Sequence, residues 1–535
     1  MLPEQEGCSL VIDERKQMAK YKKYSYSQAR FIPVHFDKQI IAGTFEYTLN
    51  HLIDNEIDLS LFDNRYDNDD TGAPAYDPAI LLKIILFAYS RGIVSSRKIA
   101  RCCEENIVFM ALSADTRPHF TTIASFVSSM QPEVLKLFRD VLLICDEMKL
   151  IGKDMFAIDG CKLPSNASKE WSGTKADFVK KKRKMERAIG RILKKHRETD
   201  IEQKDVDVVE KEKQYIRSLR KQIKKLSDWL DDNDDKPGKT GKPRKSNITD
   251  NESAKMKSSK GVIQGYDAVA AVDDKHQIVV HAEAYGQPQE HDLLEPMLEK
   301  TDDNFKAIGA SDDILKKARI TADAGFHTEA NMKMLADKHI DGYVADIQFR
   351  KRDPRFADRD RYKERLKKER VKKEARSELF TVNDFTFAAD KSYCICPAGN
   401  RLHRNGGNVL VGNGQYRAIK FRGPKTVCRA CKLRSQCLKY PDRTETRQVH
   451  FMLGKSKQGQ ETYTQKMKQK IDSDRGRMIY SRRIGTAEPV FANLRHAIGL
   501  DRFTLRGNPK VNIQWKLFSI VHNMLKIHRY GPGFT

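Results

Sequence analysis

"GVIQGYDAVAAVDDKHQIVVHAEAYGQ", Gly261 to Gln287, consists of two apolar runs of strand length on either side of Asp273-Asp274. Acidic turn residues between two β-type runs predict an antiparallel hairpin. Working outward, "DMFAIDG" (Asp154–Gly160) predicts a strand before the hairpin. After it, "EHDLLEPMLEK" reads as helix, "KARITADAGF" as strand, "TEANMKMLADKH" as helix behind the Thr328 cap, and "DGYVADIQ" as strand. A hairpin followed by strands that alternate with helices predicts an α/β fold, a mixed sheet with covering helices.

Two of these strands end in carboxylates. Asp159 closes "FAID" and Asp323 closes "ITAD". Either acid alone is ordinary turn chemistry. Together, on adjacent central strands, they would emerge side by side at the sheet edge. Two hard carboxylates beside substrate phosphate are what Mg²⁺ needs, because it binds through few side chains. A third acid is expected, and Glu488 in "MIYSRRIGTAEPVFANLRHAIGLDRFTLRG" is the candidate. If that segment is one helix, Glu488 and Arg495, seven residues apart, share a face. The bland alternative is an exposed helix acid. Downstream, Trp515, Phe518, Val521, Met524 and Leu525 recur at helical intervals and read as core, with His522 structural.

Other segments interrupt or flank the sheet. Residues 1–150 read as helices, with Ser95 and Thr121 as N-caps; a helix-turn-helix reader and a packing bundle fit equally. Between about 175 and 250, Ile216, Leu219, Ile223, Leu226 and Leu230 alternate spacings of three and four, a coiled-coil seam within a basic insertion. Either an intramolecular hairpin or a contact between chains fits it. "DDNDDKPGKTGKPRKSN" reads as a flexible basic loop. Residues 350–475 hold a charged arm and then Cys396, Cys428, Cys431 and Cys437, whose C-x2-C spacing suggests a structural four-thiolate zinc knuckle, Cys394 being spare. The alternative is reduced thiols in a small hydrophobic knuckle.

The 535 residues carry 98 Lys and Arg against 73 Asp and Glu, a net charge of +25, which points to a polyanionic partner, nucleic acid foremost. Met1 to Leu10 has acids and no apolar core, so no secretory signal is expected and a cytoplasmic location is. "AILLKIILFAYS" (Ala79–Ser90) contains Lys83 and is too short for a membrane span, so it reads as a buried helix.

Taken jointly, "IDGCK", "GYDAVAAVD", "ADAGF" and the Tyr480, Arg483, Glu488, Arg495 stretch resemble the DDE transposases of bacterial insertion sequences. The chain is most similar to the IS-four superfamily and its IS-eleven-eighty-two-like group, which carries a similar helical N-terminal domain and a "CPAGN" plus C-x2-C insert. The resemblance runs from about Phe36 to His528. It implies an RNase H-like core built from residues 151–349 and 476–535, with the helical domain before it and the coiled-coil and zinc-ribbon-like insertions within it. It implies Asp159, Asp323 and Glu488 as the catalytic acids holding two Mg²⁺ or Mn²⁺ ions, and Tyr480, Arg483 and Arg495 as DNA-binding residues. The implied function is cleavage and strand transfer at terminal inverted repeats and target DNA by a homo-oligomer. An inactive DNA-binding regulator and an unrelated zinc-stapled nuclease are the alternatives. Departures from the pattern are Arg483 five residues before Glu488, Cys161 where Thr or Ser is usual, and Arg495 in place of Lys.

Overall fold

The computed structural model describes residues 33–65, 74–198, 206–238, 241, 243–258, 261–310, 313–356, 379–412, 416–455 and 462–534. Residues 357–378 of the charged arm and part of the basic loop lie outside the described residues.

The chain begins with helices α1 (Phe45–His51), α2 (Pro78–Ser90), α3 (Ser96–Glu105), α4 (Ile107–Leu112), α5 (Phe120–Ser129) and α6 (Gln131–Glu147). Helix α2 is the "AILLKIILFAYS" run, buried from Leu81 to Tyr89. Lys83 is tolerated there because its ammonium meets Asp54 at 2.6 Å. Ser95 occupies the N-cap of α3 without a side-chain cap bond. Thr121 is not a cap: His119 caps α5 by accepting from the Thr121 amide.

The main sheet has six strands: β1 (Met155–Pro164), β2 (Ala254–Ser258), β3 (Gly261–Asp273), β4 (Val279–Tyr285), β5 (Arg319–Ala322) and β6 (Asp341–Val344). Their order is β2-β3-β1-β5-β6, with β4 also paired to β3. The expected hairpin is β3–β4, antiparallel. β3 also runs antiparallel to β1, whereas β1, β5 and β6 run parallel. Parallel neighbours need a crossover. The helix from Leu294 to Ala307 precedes β5, and the one from Glu329 to Asp337 links β5 to β6.

Between β1 and β2 project α7 (Lys175–Glu198) and α8 (Val206–Asp232). Ile216, Leu219, Leu226 and Trp229 are buried. Phe178 of α7 meets Trp229 edge-on at 4.8 Å, so these helices cover part of the seam within one chain.

The longer helices that remain are α9 (Leu294–Ala307), α10 (Glu329–Asp337), α11 (Tyr463–Asp472), α12 (Asp474–Ala492) and α13 (Asn508–Tyr530). Trp515, Phe518, Val521 and Met524 of α13 are buried in a core that continues through the N-terminal helices and the sheet. Tyr89 stacks on Phe518 at 4.8 Å. His522 is structural, as expected: its nitrogens bond Asn493 and the Gln277 carbonyl.

Glu488 and Arg495 do not share one regular helix. Helix α12 ends at Ala492 and passes into a wider π-helical turn, Asn493–Ala497, so the two-turn register is lost. Pro489 lies inside α12 and cannot donate to the Gly485 carbonyl. The Gln277 side-chain amide does so instead, at 2.9 Å, while its oxygen accepts from Lys526 at 2.8 Å. Gln277→Ala removes both bonds and should lower stability by about 1–2 kcal/mol in denaturant titration.

A second, antiparallel sheet follows β6: β7 (Thr386–Phe387), β8 (Tyr393–Ile395), β9 (Arg401–Arg404), β10 (Val409–Val411), β11 (Tyr416–Arg422) and β12 (Gln448–Lys455). It has its own small core, which includes Cys394, Leu402, Phe421 and Val449.

Candidate active site

The site grows from the parallel pairing of β1 with β5. Ile158 lies opposite Ala322, so Asp159 and Asp323 come next on neighbouring strands. β5 stops there, and Asp323 becomes a turn cap whose Oδ1 accepts from the Gly325 amide at 2.7 Å. β1 runs on against β3. Asp159 therefore sits where the sheet splits.

Helix α12 closes over this point. Arg483 is buried and donates to Asp159 Oδ2 at 2.6 Å. The guanidinium stands 5.6 Å from the centre of the Tyr480 ring, which Phe349 meets edge-on at 5.0 Å. Burial pushes the Asp159 carboxyl above its usual range; Arg483 opposes this, and the nearby Asp323 charge adds to it.

Two further acids, not singled out from the sequence, join the first two. Asp267 of β3 is fully buried, and no donor among the described residues reaches either of its oxygens. Its neighbour is the Glu290 carboxyl. Glu290 also touches Gly325: a Cβ there would lie 2.0 Å from its Oε2. Lys162 is the nearest cation, 3.8 Å from Glu290. Burial, then Asp267 and Asp323, push Glu290 up to about 8, and burial moves Asp267 in the same direction. A signal for Asp267 was present, since it is the lone acid inside the apolar run "GYDAVAAV". For Glu290, on a loop before α9, there was none.

An acid whose folded pKa is raised stabilises the fold fully below its unfolded pKa and loses that contribution as pH rises through the folded value. Stability should therefore fall between about pH 4.5 and 8. Glu290→Gln should flatten that fall, as measured by denaturant midpoints across the range; an unchanged slope would remove Glu290 from the cluster.

Glu488 is placed differently. It is exposed, and among the described residues it makes no hydrogen bond or ion pair. Arg495, with one buried nitrogen lacking a partner, lines an open cleft of about 800 Å³ together with Lys162, Lys257, Cys161 and Glu290.

Among the described residues, no group of three or more His, Cys, Asp or Glu side chains is set to hold a metal ion. For the cysteines, the expected structural zinc is therefore without support among the described residues. Cys396, Cys428, Cys431 and Cys437 line one cavity of about 30 Å³ without forming a ligand set. Cys396 and Cys437 pack against the small core of the second sheet, and burial, with the neighbouring Cys396, Cys428 and Cys431 thiols adding to it, raises the Cys437 thiol. The acids differ, because Mg²⁺ needs only one or two carboxylates with water and phosphate. Asp159 and Asp323 fit that need: they are like charges held together near the donor-less Asp267.

Comparison with protein families gives two matches. Residues 395–528 match the family described as Transposase DDE domain, and residues 34–129 match the one described as Transposase domain (DUF772). The first span includes Glu488, and the second covers α1 to α5. No curated protein matches the chain.

Proposed function

We propose that the chain, two segments of which match transposase family models, is a DDE transposase of an insertion sequence that binds the ends of its element and performs metal-dependent strand cleavage and strand transfer. The carrying observation is the convergence of Asp323, at the end of β5, with Asp159, which lies inside β1 rather than closing it as expected, and to which Arg483 is bonded. An RNase H-like core is supported by the strand order, three antiparallel strands leading into two parallel ones. The IS-eleven-eighty-two-like group remains the proposed subfamily.

Asp159 and Asp323 would hold divalent ions, with Glu488 as the third acid that the resemblance implies. Divalent ions held there would supply Lewis-acid activation of the attacking oxygen and stabilisation of the leaving one. Arg483 fixes the Asp159 carboxylate through a charge-assisted bond, and Tyr480 fixes Arg483. Arg495, Lys162 and Lys257 offer cations along the cleft for the DNA backbone, which positions the strand without reading bases. Water opens the phosphodiester at the element end, and the freed 3′-hydroxyl attacks the target in line. Both reactions occur on DNA, without a protein-linked intermediate. Pairing two ends calls for a homo-oligomer on terminal repeats and target DNA, working at the cytoplasmic nucleoid. Among the described residues, no helix is long and apolar enough to cross a membrane.

The test is an end-labelled duplex of the element terminus incubated with the protein and Mg²⁺ or Mn²⁺. Nicking followed by joined products supports transposition, whereas cutting without joining leaves only a nuclease. In the same assay, Glu488→Gln should lose both products; full activity would move the third acid elsewhere.

A further inference from the structure

Helix α7 carries far more positive charge than its partner: 11 Lys and Arg against 3 Asp and Glu, whereas α8 has 7 against 6. Some of the α7 cations serve the hairpin itself. Lys181 lies 3.8 Å from the centre of the Trp171 ring and donates to the Glu170 carbonyl. Lys195 pairs with Glu212 at 3.2 Å, and Lys194 with Glu198 at 3.5 Å.

Five others differ, although Arg187 donates to the Arg183 carbonyl within their own stripe at 3.3 Å. Lys180, Arg183, Lys184, Arg187 and Arg191 are all exposed and, among the described residues, form no ion pair. At about 100° per residue they fall within an arc of about 100° on one helix face. Phe178, Met185, Ile189 and Ile192, buried or half-buried, lie on the opposite face. The seam therefore turns the basic stripe outward. Like charges three and four residues apart destabilise a helix by about 0.2–0.5 kcal/mol per pair. Asp177 lies near Lys180, but among the described residues no carboxylate forms an ion pair with any of the five, which points to an anion outside the protein.

We infer that this outward face of α7 is a docking surface for the sugar-phosphate backbone of duplex DNA, away from the acids. The inference rests on the transposase reading, which makes duplex DNA the polyanion at hand. From Lys180 to Arg191 the stripe rises about 16 Å. One strand of a duplex presents a phosphate about every 3.4 Å along the axis, so five cations face about five phosphates. Lys and Arg set along such a stripe contact phosphate oxygens, which position a duplex without reading its sequence. The hairpin leaves the sheet just after β1, the strand that carries Asp159, so DNA held there flanks the strand being cut.

The experiment compares the wild-type chain with the fivefold variant K180Q/R183Q/K184Q/R187Q/R191Q. Binding to a random-sequence duplex is measured across a salt series, and cleavage on a short end duplex in parallel. Each phosphate contact contributes about 0.9 to the slope of log K against log salt. The variant should therefore show a slope shallower by about 4, with weaker duplex binding, unchanged cleavage of the short duplex and a melting temperature no lower than wild type. An unchanged slope would overturn the inference while leaving the transposase reading intact. So would a loss confined to single-stranded RNA or to phosphatidylserine vesicles. If the wild type bound no duplex at all, both readings would fall.

Discussion

Asp159→Asn is expected to reduce divalent-metal-dependent strand cleavage by about 10³-fold or more, the scale on which preorganised electrostatic groups act at a reacting phosphate, with duplex affinity preserved. Asp159 is half-buried at the end of a parallel strand pair, beside Asp323 and under Arg483. Asn keeps the shape and still offers Arg483 an acceptor, but it removes the charge that a divalent ion requires. The loss of charge assistance in the Arg483 bond is offset by relief of repulsion from Asp323, so the fold should hold. On the proposed reading, DNA affinity rests mainly on cations such as Arg495 and the α7 stripe, and a neutral replacement at Asp159 leaves them in place. The measurement is single-turnover cleavage alongside filter binding and a denaturation curve. Lost affinity or a large fall in stability would make Asp159 a structural acid and undo the assignment.

Trp515→Ala should cause the largest loss of stability, about 4 kcal/mol or more in equilibrium denaturation. The indole is fully buried, lies parallel to Phe491 at 6.3 Å between ring centres, and donates to the Val269 carbonyl of β3 at 3.1 Å. Truncation opens a cavity between α13 and the sheet and strips a buried carbonyl of its donor. Because the core is continuous from α2 to β3, the site has little room to collapse. A loss below about 1 kcal/mol would mean that α13 does not support the sheet in the way its packing indicates.

Local chemistry made much of this legible. Apolar runs of strand length bounded by Asp and Gly placed β1, β3, β4 and β5, because such runs have few other ways to bury their side chains. Helical spacing identified the buried side of α13, and two Asp residues at strand ends suggested one site. The zinc expectation is without support among the described residues for a related reason. C-x2-C spacing constrains a turn but leaves open whether the sulfurs face an ion or a hydrophobic core, and here two of them pack into the core of the second sheet.

By itself, the amino-acid sequence determined the periodicities, and with them the kinds of elements, the acidic strand ends and the basic stripe of α7, since these depend only on neighbours along the chain. Only the tertiary structure decided which acids meet. Asp267 and Glu290 join Asp159 and Asp323 because antiparallel β3 and the loop before α9 bring them there, and Arg483 reaches Asp159 across 324 residues of chain. Such contacts depend on register and crossover, which arise from burying one continuous core and leave no mark in local spacing.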